Sequence, residues 1–356
     1  MDSHQLMSVF TGKRIAVTGI TGFKGNWLMH MLTQLGAVVG GYSLPPAHDA
    51  VMGQEALARI VALTIGDITD PVHFNEFMDT FRPDVLIHLA AQPLVRLAYL
   101  RPAETITTNI MGTLNVLEAA RSSRSLQALL VVTSDKCYAN VEQVWGYREC
   151  DPMGGRDPYS ASKGCCEILF HAYMSSYFKG TIRSATARAG NVIGGGDMAQ
   201  DRIIPDMIRE FRGNRPIILR NPEATRPWQH VLDVVYGYLL LVGKLLEGTA
   251  EDGPYNFGPD HAHSATVLDL ATMFSQRLGM GKIVVSEDPE APHEAQLLHL
   301  DSSKSRVSLG WEPRMDLRES IDATAKWYQG YLSGISPEEL TGWQTRAYLG
   351  LSSQVQ

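Results

Sequence analysis

The chain has few cysteines, no long apolar run and no concentration of basic charge. Four cysteines occur in 356 residues, Cys137, Cys150, Cys165 and Cys166. They show no metal-ligand spacing, so no metal is expected, and a reduced, cytoplasmic protein is the simplest reading. No stretch reaches the ~18 apolar residues of a membrane span, so no membrane partner is expected. The opening MDSHQLMSVF lacks a basic segment and a long apolar run, which is unlike a signal peptide. The formal charge is −7 and no basic stripe tracks along the chain. A nucleic-acid partner is therefore not expected. The basic residues are scattered, which suits a small anionic ligand held at one point. No internal repeat or low-complexity linker is visible.

What is present is an ordinary globular composition, 44 % apolar and 19 % charged. The length suits one large domain or two intimate ones. Short apolar strands are expected at Arg14–Thr18, Ala37–Tyr42, Asp84–Ala90 and Leu129–Thr133. Helical periodicity runs over Gly25–Leu35 and Ile106–Ala120. Strands alternating with helices imply parallel βαβ units in a doubly wound α/β sheet, with its ligand crevice at the carboxyl ends of the strands. After about Gly190 the texture becomes rich in Gly and Pro. This reads as a smaller, interleaved C-terminal substrate domain. The buried pattern Gln229–Leu246 returns to the first unit. The expected division is 1–190 plus about 229–257, against about 191–228 plus 258–356.

Three motifs carry chemistry. TGITGFKG places Gly19, Gly22 and Gly25 between a strand and a helix. Glycines let the backbone approach a pyrophosphate, and the helix N-terminus favours its charge. Asp67 in GDITD reads as an adenine contact or as an ordinary loop carboxylate. The segment GGYSLPP holds no acid to bind a ribose 2′-hydroxyl. Lys24 could even tolerate a 2′-phosphate, so NAD and NADP both stay open on local grounds. The second motif is Tyr159-Ser-Ala-Ser-Lys163, which puts both side chains on one helix face. A tyrosine titrates near ~10, and a lysine cation beside it is expected to lower that value. The third motif is the strand-end Thr133-Ser134-Asp135.

Together these motifs resemble the extended short-chain dehydrogenase/reductase family, over nearly the whole chain. The strings TGFKGNWL, HLAAQPLVR, VTSDKCYAN, MGGRDPYSASKG, ARAGNVIGGGD and RNPEATRPWQHVL are similar to those of its CDP-glucose 4,6-dehydratases. The resemblance implies a Rossmann sheet, NAD as cofactor, and conversion of CDP-glucose to CDP-4-keto-6-deoxyglucose and water. A related epimerase, a dehydratase of another nucleotide sugar, or a non-catalytic dinucleotide sensor are the competing readings. The resemblance places NAD against Gly19, Thr21, Gly22, Phe23, Lys24 and Gly25. It adds Asp67, Ile68, Leu89, Ala90, Ala91 and Asn109, then Thr133, Tyr159, Lys163 and Ala189. Tyr159 takes the 4-hydroxyl proton, Ser134 assists, and Asp135 protonates the 6-hydroxyl. The dTDP-glucose enzymes carry a glutamate where Lys136 stands. Lys136 is then the C5 base, an electrostatic aid, or a structural residue. Gln92, Asn191, Arg202, Arg226 and His293 are expected at the substrate. Arg202 also reads as a structural loop arginine, and His293 as a surface histidine. Cys165 and Cys166 read as buried packing. Helices after HLAA and around Tyr159 commonly pair across a two-fold in the family, so a homodimer or a dimer of dimers is expected.

Overall fold

The apolar run Arg14–Thr18 forms β1, the centre of the sheet. In this computed structural model, which describes residues 1–46, 54–259, 264–286 and 297–351, seven parallel strands line up around it. They are β1, β2 (Val38–Ser43), β3 (Ala62–Ile65), β4 (Val85–His88), β5 (Ala128–Val132), β6 (Arg183–Ala189) and β7 (Gly253–Phe257). Their order is β7-β6-β5-β4-β1-β2-β3. The order reverses between β1 and β4, and such a switch point opens a crevice at the strand ends. The doubly wound α/β expectation therefore holds. The strands expected from the sequence recur within two residues at each end, while β3, β6 and β7 were not among them.

Both faces of the sheet are covered, which is why its central strands are buried throughout. On one face, α1 (Phe23–Gln34) packs with the long apolar helix Val231–Leu246. On the other, Phe74, Phe77 and Phe81 meet Val116, Leu117 and Phe170. The helix expected over 106–120 runs from Pro102 to Ser122, with one wide π-helical turn at Thr107–Met111. α2 (Pro158–Tyr173) starts with Pro158 in its first turn, and the Asp157 carboxylate accepts the Ser160 N–H at 2.9 Å. The helix from Val231 begins at His230, whose ring accepts the Leu232 N–H at 3.2 Å. It leads into β7, which pairs with β6. The smaller pairings, such as Ile217–Leu219 with Ile283–Val285, lie outside the main sheet.

Gly19 closes β1 at φ +69, and a Cβ there would stand 2.8 Å from the backbone of Ala90. Only glycine meets both demands. Gly19→Ala is expected to cost about 1–3 kcal/mol, read from the urea denaturation midpoint. Gly180 shares the positive φ but has open space around it, so Gly180→Ala should cost less. Equal losses would show that the approach to Ala90 contributes nothing.

Candidate active site

Loops leaving the carboxyl ends of the strands frame a cavity of about 1090 Å³. That is room for more than one drug-sized ligand, which takes ~300–1,000 Å³. Gly19, Thr21, Gly22, Phe23, Lys24 and Gly25 line its floor. Gly22 starts α1 without a side-chain cap bond, so the first-turn N–H groups are available to an anion. These groups fit a dinucleotide pyrophosphate. Asp67 and Ile68 follow β3, and Leu89, Ala90 and Ala91 follow β4 in the same wall. Thr133 and Ala189 close β5 and β6 beside them. At the end of β2, the Thr21 hydroxyl meets Ser43 at 2.7 Å.

Ser134, Asp135, Lys136, Tyr159 and Lys163 all line the same cavity. The Ser134 hydroxyl donates to Asp135 Oδ1 at 2.8 Å and accepts the Lys136 N–H at 3.2 Å. Asp135 is 3 % exposed, and its other oxygen, Oδ2, has no hydrogen-bond partner. A Cβ at Gly190 would come within 3.0 Å of that oxygen. Glycine there leaves one side of the carboxylate open. Buried carboxylate oxygens are normally satisfied, so this one has capacity left for a ligand hydroxyl. Outward from this centre the lining carries Arg156, Arg202, Arg220 and Arg226. Acidic side chains, among them Asp157, Asp197, Asp201 and Asp206, line the same cavity, so these guanidinium groups act as local contacts and not as a positive field.

A family model described as GDP-mannose 4,6 dehydratase matches residues 16–324, a span that includes every residue lining the cavity. The chain belongs to this dehydratase family. A CDP-glucose 4,6-dehydratase of Salmonella typhimurium is 43 % identical over 331 residues, 91 % of this chain and 92 % of that protein. A UDP-glucuronic acid decarboxylase 1 of Xenopus tropicalis is 26 % identical over 334 residues, 89 % of this chain and 72 % of that protein. The UDP-glucose 4-epimerase of Thermus thermophilus, solved as a complex with NAD, matches at a TM-score of 0.78 and 24 % identity. It covers 89 % of this chain and 99 % of that one. That likeness bears on the fold.

Several expectations for this dehydratase need correction. Lys163 does not acidify Tyr159 in the chain by itself. Burial pushes the Tyr159 phenol up to about 12, and approach by Ser134 and the charge of Arg202 oppose this only in part. The Lys163 ammonium is itself lowered by burial. Gln92 does not line the cavity. Its side-chain amide donates to Thr105 at 2.7 Å and to the Leu94 carbonyl at 3.1 Å, and accepts the Leu94 N–H at 2.6 Å. Asn109 is likewise turned into the fold. It accepts the Gln92 N–H at 2.8 Å and donates to Ser162 at 2.8 Å. It ties the loop after β4 to α2. Cys165 is exposed, because it lies on the far side of α2 from Lys163; Cys166 is buried. His293 lies outside the described residues.

Lys24 does not face the β2 end, where a 2′-phosphate would sit. Its ammonium is 3.4 Å from the Tyr238 hydroxyl, within range of the charges of Asp135 and Lys163. Arg202 is not a free fork, since it donates to Asp197 at 2.8 Å. Asn191 and Arg226 line the cavity as expected from the sequence. The same reading passed over Asp197, Arg156 and Arg220. Arg156 and Arg220 stand within or beside quoted motifs, in MGGRDPYSASKG and before NPEATRPW. Nothing in their spacing separates them from surface arginines. Among the described residues, no group of three or more His, Cys, Asp or Glu side chains could hold a metal ion.

Burial, helped by Arg202 and Lys163 and opposed by Asp135 and Asp197, lowers Lys24 to about 8. Between pH 8 and the ordinary lysine value the folded chain binds fewer protons there than the unfolded chain. Stability from this group therefore rises with pH across that window. Lys24→Met lacks the rise. It is expected to raise the melting temperature most at pH 7, with the gain shrinking as pH climbs towards 10. An equal gain at both ends would refute the charged, buried lysine.

Proposed function

We propose that this chain converts CDP-glucose to CDP-4-keto-6-deoxyglucose and water, with NAD held in the cleft. The observation that carries the reading is the buried acid beside the tyrosine–lysine pair. Tyr159 and Lys163 alone suit oxidation of a hydroxyl. Asp135 adds a carboxyl group whose Oδ2 is unpartnered, which suits expulsion of water. The 43 % identity to the Salmonella CDP-glucose 4,6-dehydratase supports the nucleotide preference.

When bound, NAD would accept the hydride from C4 and return it to C6, and its positive ring charge would favour the Tyr159 phenolate. Tyr159 takes the proton from the sugar 4-hydroxyl, and Ser134 supports that oxygen by hydrogen bonding. The resulting 4-ketone acidifies the C5 hydrogen. Lys136 is half-buried in the lining. It removes the C5 proton, while Asp135 protonates the departing 6-hydroxyl. C5 is then reprotonated. Arg226 and Arg220, with the part of the Arg202 guanidinium that Asp197 does not engage, hold the diphosphate, a task suited to guanidinium groups. At the other end, Ser43 stands at the end of β2, where dinucleotide enzymes meet the adenosine ribose, and its hydroxyl could meet a free ribose 2′-hydroxyl.

Residues 191–228 and 258–356 form the substrate wall in this reading, and 1–190 with 229–257 the cofactor unit. Tyr99, Leu100, Ile106, Met111, Ile168 and Tyr177 are exposed on the helices after β4 and around Tyr159. They support a homodimer, or a dimer of dimers, joined through those helices. No helix among the described residues is long and apolar enough to cross a membrane, and free thiols suit a cytoplasmic enzyme.

Turnover of CDP-glucose in D2O should yield a product lighter by water and carrying one deuterium at C5. No turnover, or an epimer of unchanged mass, would overturn the proposal. Assays with dTDP-, UDP- and GDP-glucose separate the nucleotide preferences. Tyr159→Phe is expected to lower kcat by ~10²–10⁴. Lys136→Met should abolish C5 exchange with solvent while sparing oxidation at C4; full dehydration by that variant would exclude Lys136 as base. Calorimetric titration should show NAD bound at least about tenfold more tightly than NADP.

A further inference from the structure

Beneath the reacting residues lies a buried charge that the chemistry above does not use. Tyr159, Lys163 and Glu167 follow at intervals of four on α2 and share its buried face. Glu167 and Arg188 form an ion pair at 2.7 Å, with each side chain 4 % exposed. The Thr133 hydroxyl donates to Glu167 Oε1. The Thr186 hydroxyl donates to Oε2 at 2.9 Å. Arg188 also donates to the Tyr138 hydroxyl at 2.7 Å, and its guanidinium lies 4.9 Å from the centre of that ring. Tyr138 in turn donates to Asn256 of β7 at 2.7 Å.

The turn bearing Ser134, Asp135 and Lys136 is thus held at both ends. Thr133 precedes it and Tyr138 follows it, and both lead to one carboxylate–guanidinium pair. We infer that Glu167 is a positioning residue: paired with Arg188 and bonded to Thr133, it fixes the Ser134–Lys136 turn against α2, one helical turn beyond Lys163. The inference rests on the roles proposed above for Ser134, Asp135 and Lys163.

Glu167 acts on Lys163 in a crowded setting. Cys166 shares its helix, Cys137 faces it from the turn, His88 from β4 and Lys24 from α1. Burial lowers the ammonium, while Glu167 and the two thiols raise it. His88 is held neutral by burial and by Lys163, and adds no charge near neutral pH. Glu167 is therefore the carboxylate that opposes the burial cost.

Removing the Glu167 charge should make Lys163 lose its proton at lower pH. Lysine-Cε carbon-13 NMR reads this directly, with the Lys163 resonance assigned from Lys163→Met. Glu167→Gln should lower the Lys163 midpoint by about one pH unit. Its kcat should fall roughly 10- to 100-fold with KM little changed, and its alkaline limb should move to lower pH. Glu167→Gln leaves Arg188 unpaired, so the double variant Glu167→Gln/Arg188→Met serves if the single one does not fold. The midpoint should stay lowered in it. Glu167→Asp keeps the charge and should return the midpoint towards the wild-type value. An unchanged midpoint in a folded Glu167→Gln or double variant, or a kcat within twofold of wild type, overturns the inference. If the wild-type chain turns over no CDP-glucose, the proposed reaction fails, and the Lys163 titration still decides this point.

Discussion

A carboxylate sealed between the ends of β5 and β6 is the constraint on which the active-site geometry depends. Glu167 is almost wholly shielded from water, and an unpaired charge there would cost several kcal/mol. It is tolerated because Arg188, Thr133 and Thr186 satisfy its oxygens. Breaking one partner of such a pair typically costs about 3–5 kcal/mol. The same bonds hold the strand end that carries Ser134 and Asp135 at a set distance from the helix that carries Tyr159 and Lys163. Rigidity at the reacting centre is a by-product of neutralising one buried charge.

The cleft above follows an opposite logic. There the polar groups are left incompletely satisfied by the chain. Asp135 Oδ2 is buried without a partner, and the first turn of α1 has no side-chain cap. Burial raises the Tyr159 phenol and lowers Lys163 and Lys24. Each shift disfavours a charge that the chain does not balance itself. A dianionic nucleotide sugar and a cofactor carrying a positive ring supply complementary charges. The chain by itself holds the Tyr159 phenol protonated, and a bound positive ring would act against that shift.

Much of the fold was legible because its strands are short apolar runs between helical periods. β1 was read to the residue, and β2, β4 and β5 to within two. β3 is four residues with only half-buried or exposed positions, so its apolar signal is thin. β6, RSATARA, hides small and polar residues under a buried surface. β7 contains Pro254, which an edge strand accepts and a sequence pattern argues against. That Ser134, Asp135, Lys136, Tyr159 and Lys163 meet in one cavity was legible for a different reason: their spacing encodes shared helix faces and strand ends. Where Gln92 and Asn109 turn was not legible: each lies beside the cleft in sequence while its amide bonds inside the fold.

The sequence by itself determined the parallel α/β class, the glycine loop at a helix start and the pairing of Tyr159 with Lys163. Those are local matters of period and backbone freedom, set within a few residues. Only the tertiary structure decided which polar groups face the ligand and which face each other. Glu167 meets Arg188 and Lys24 turns towards Tyr238 across separations no local pattern spans. Burial also decided the direction of the Tyr159 shift, against the expectation drawn from its neighbour. Desolvation depends on everything packed around a side chain, and an i, i+4 spacing records just one of those neighbours.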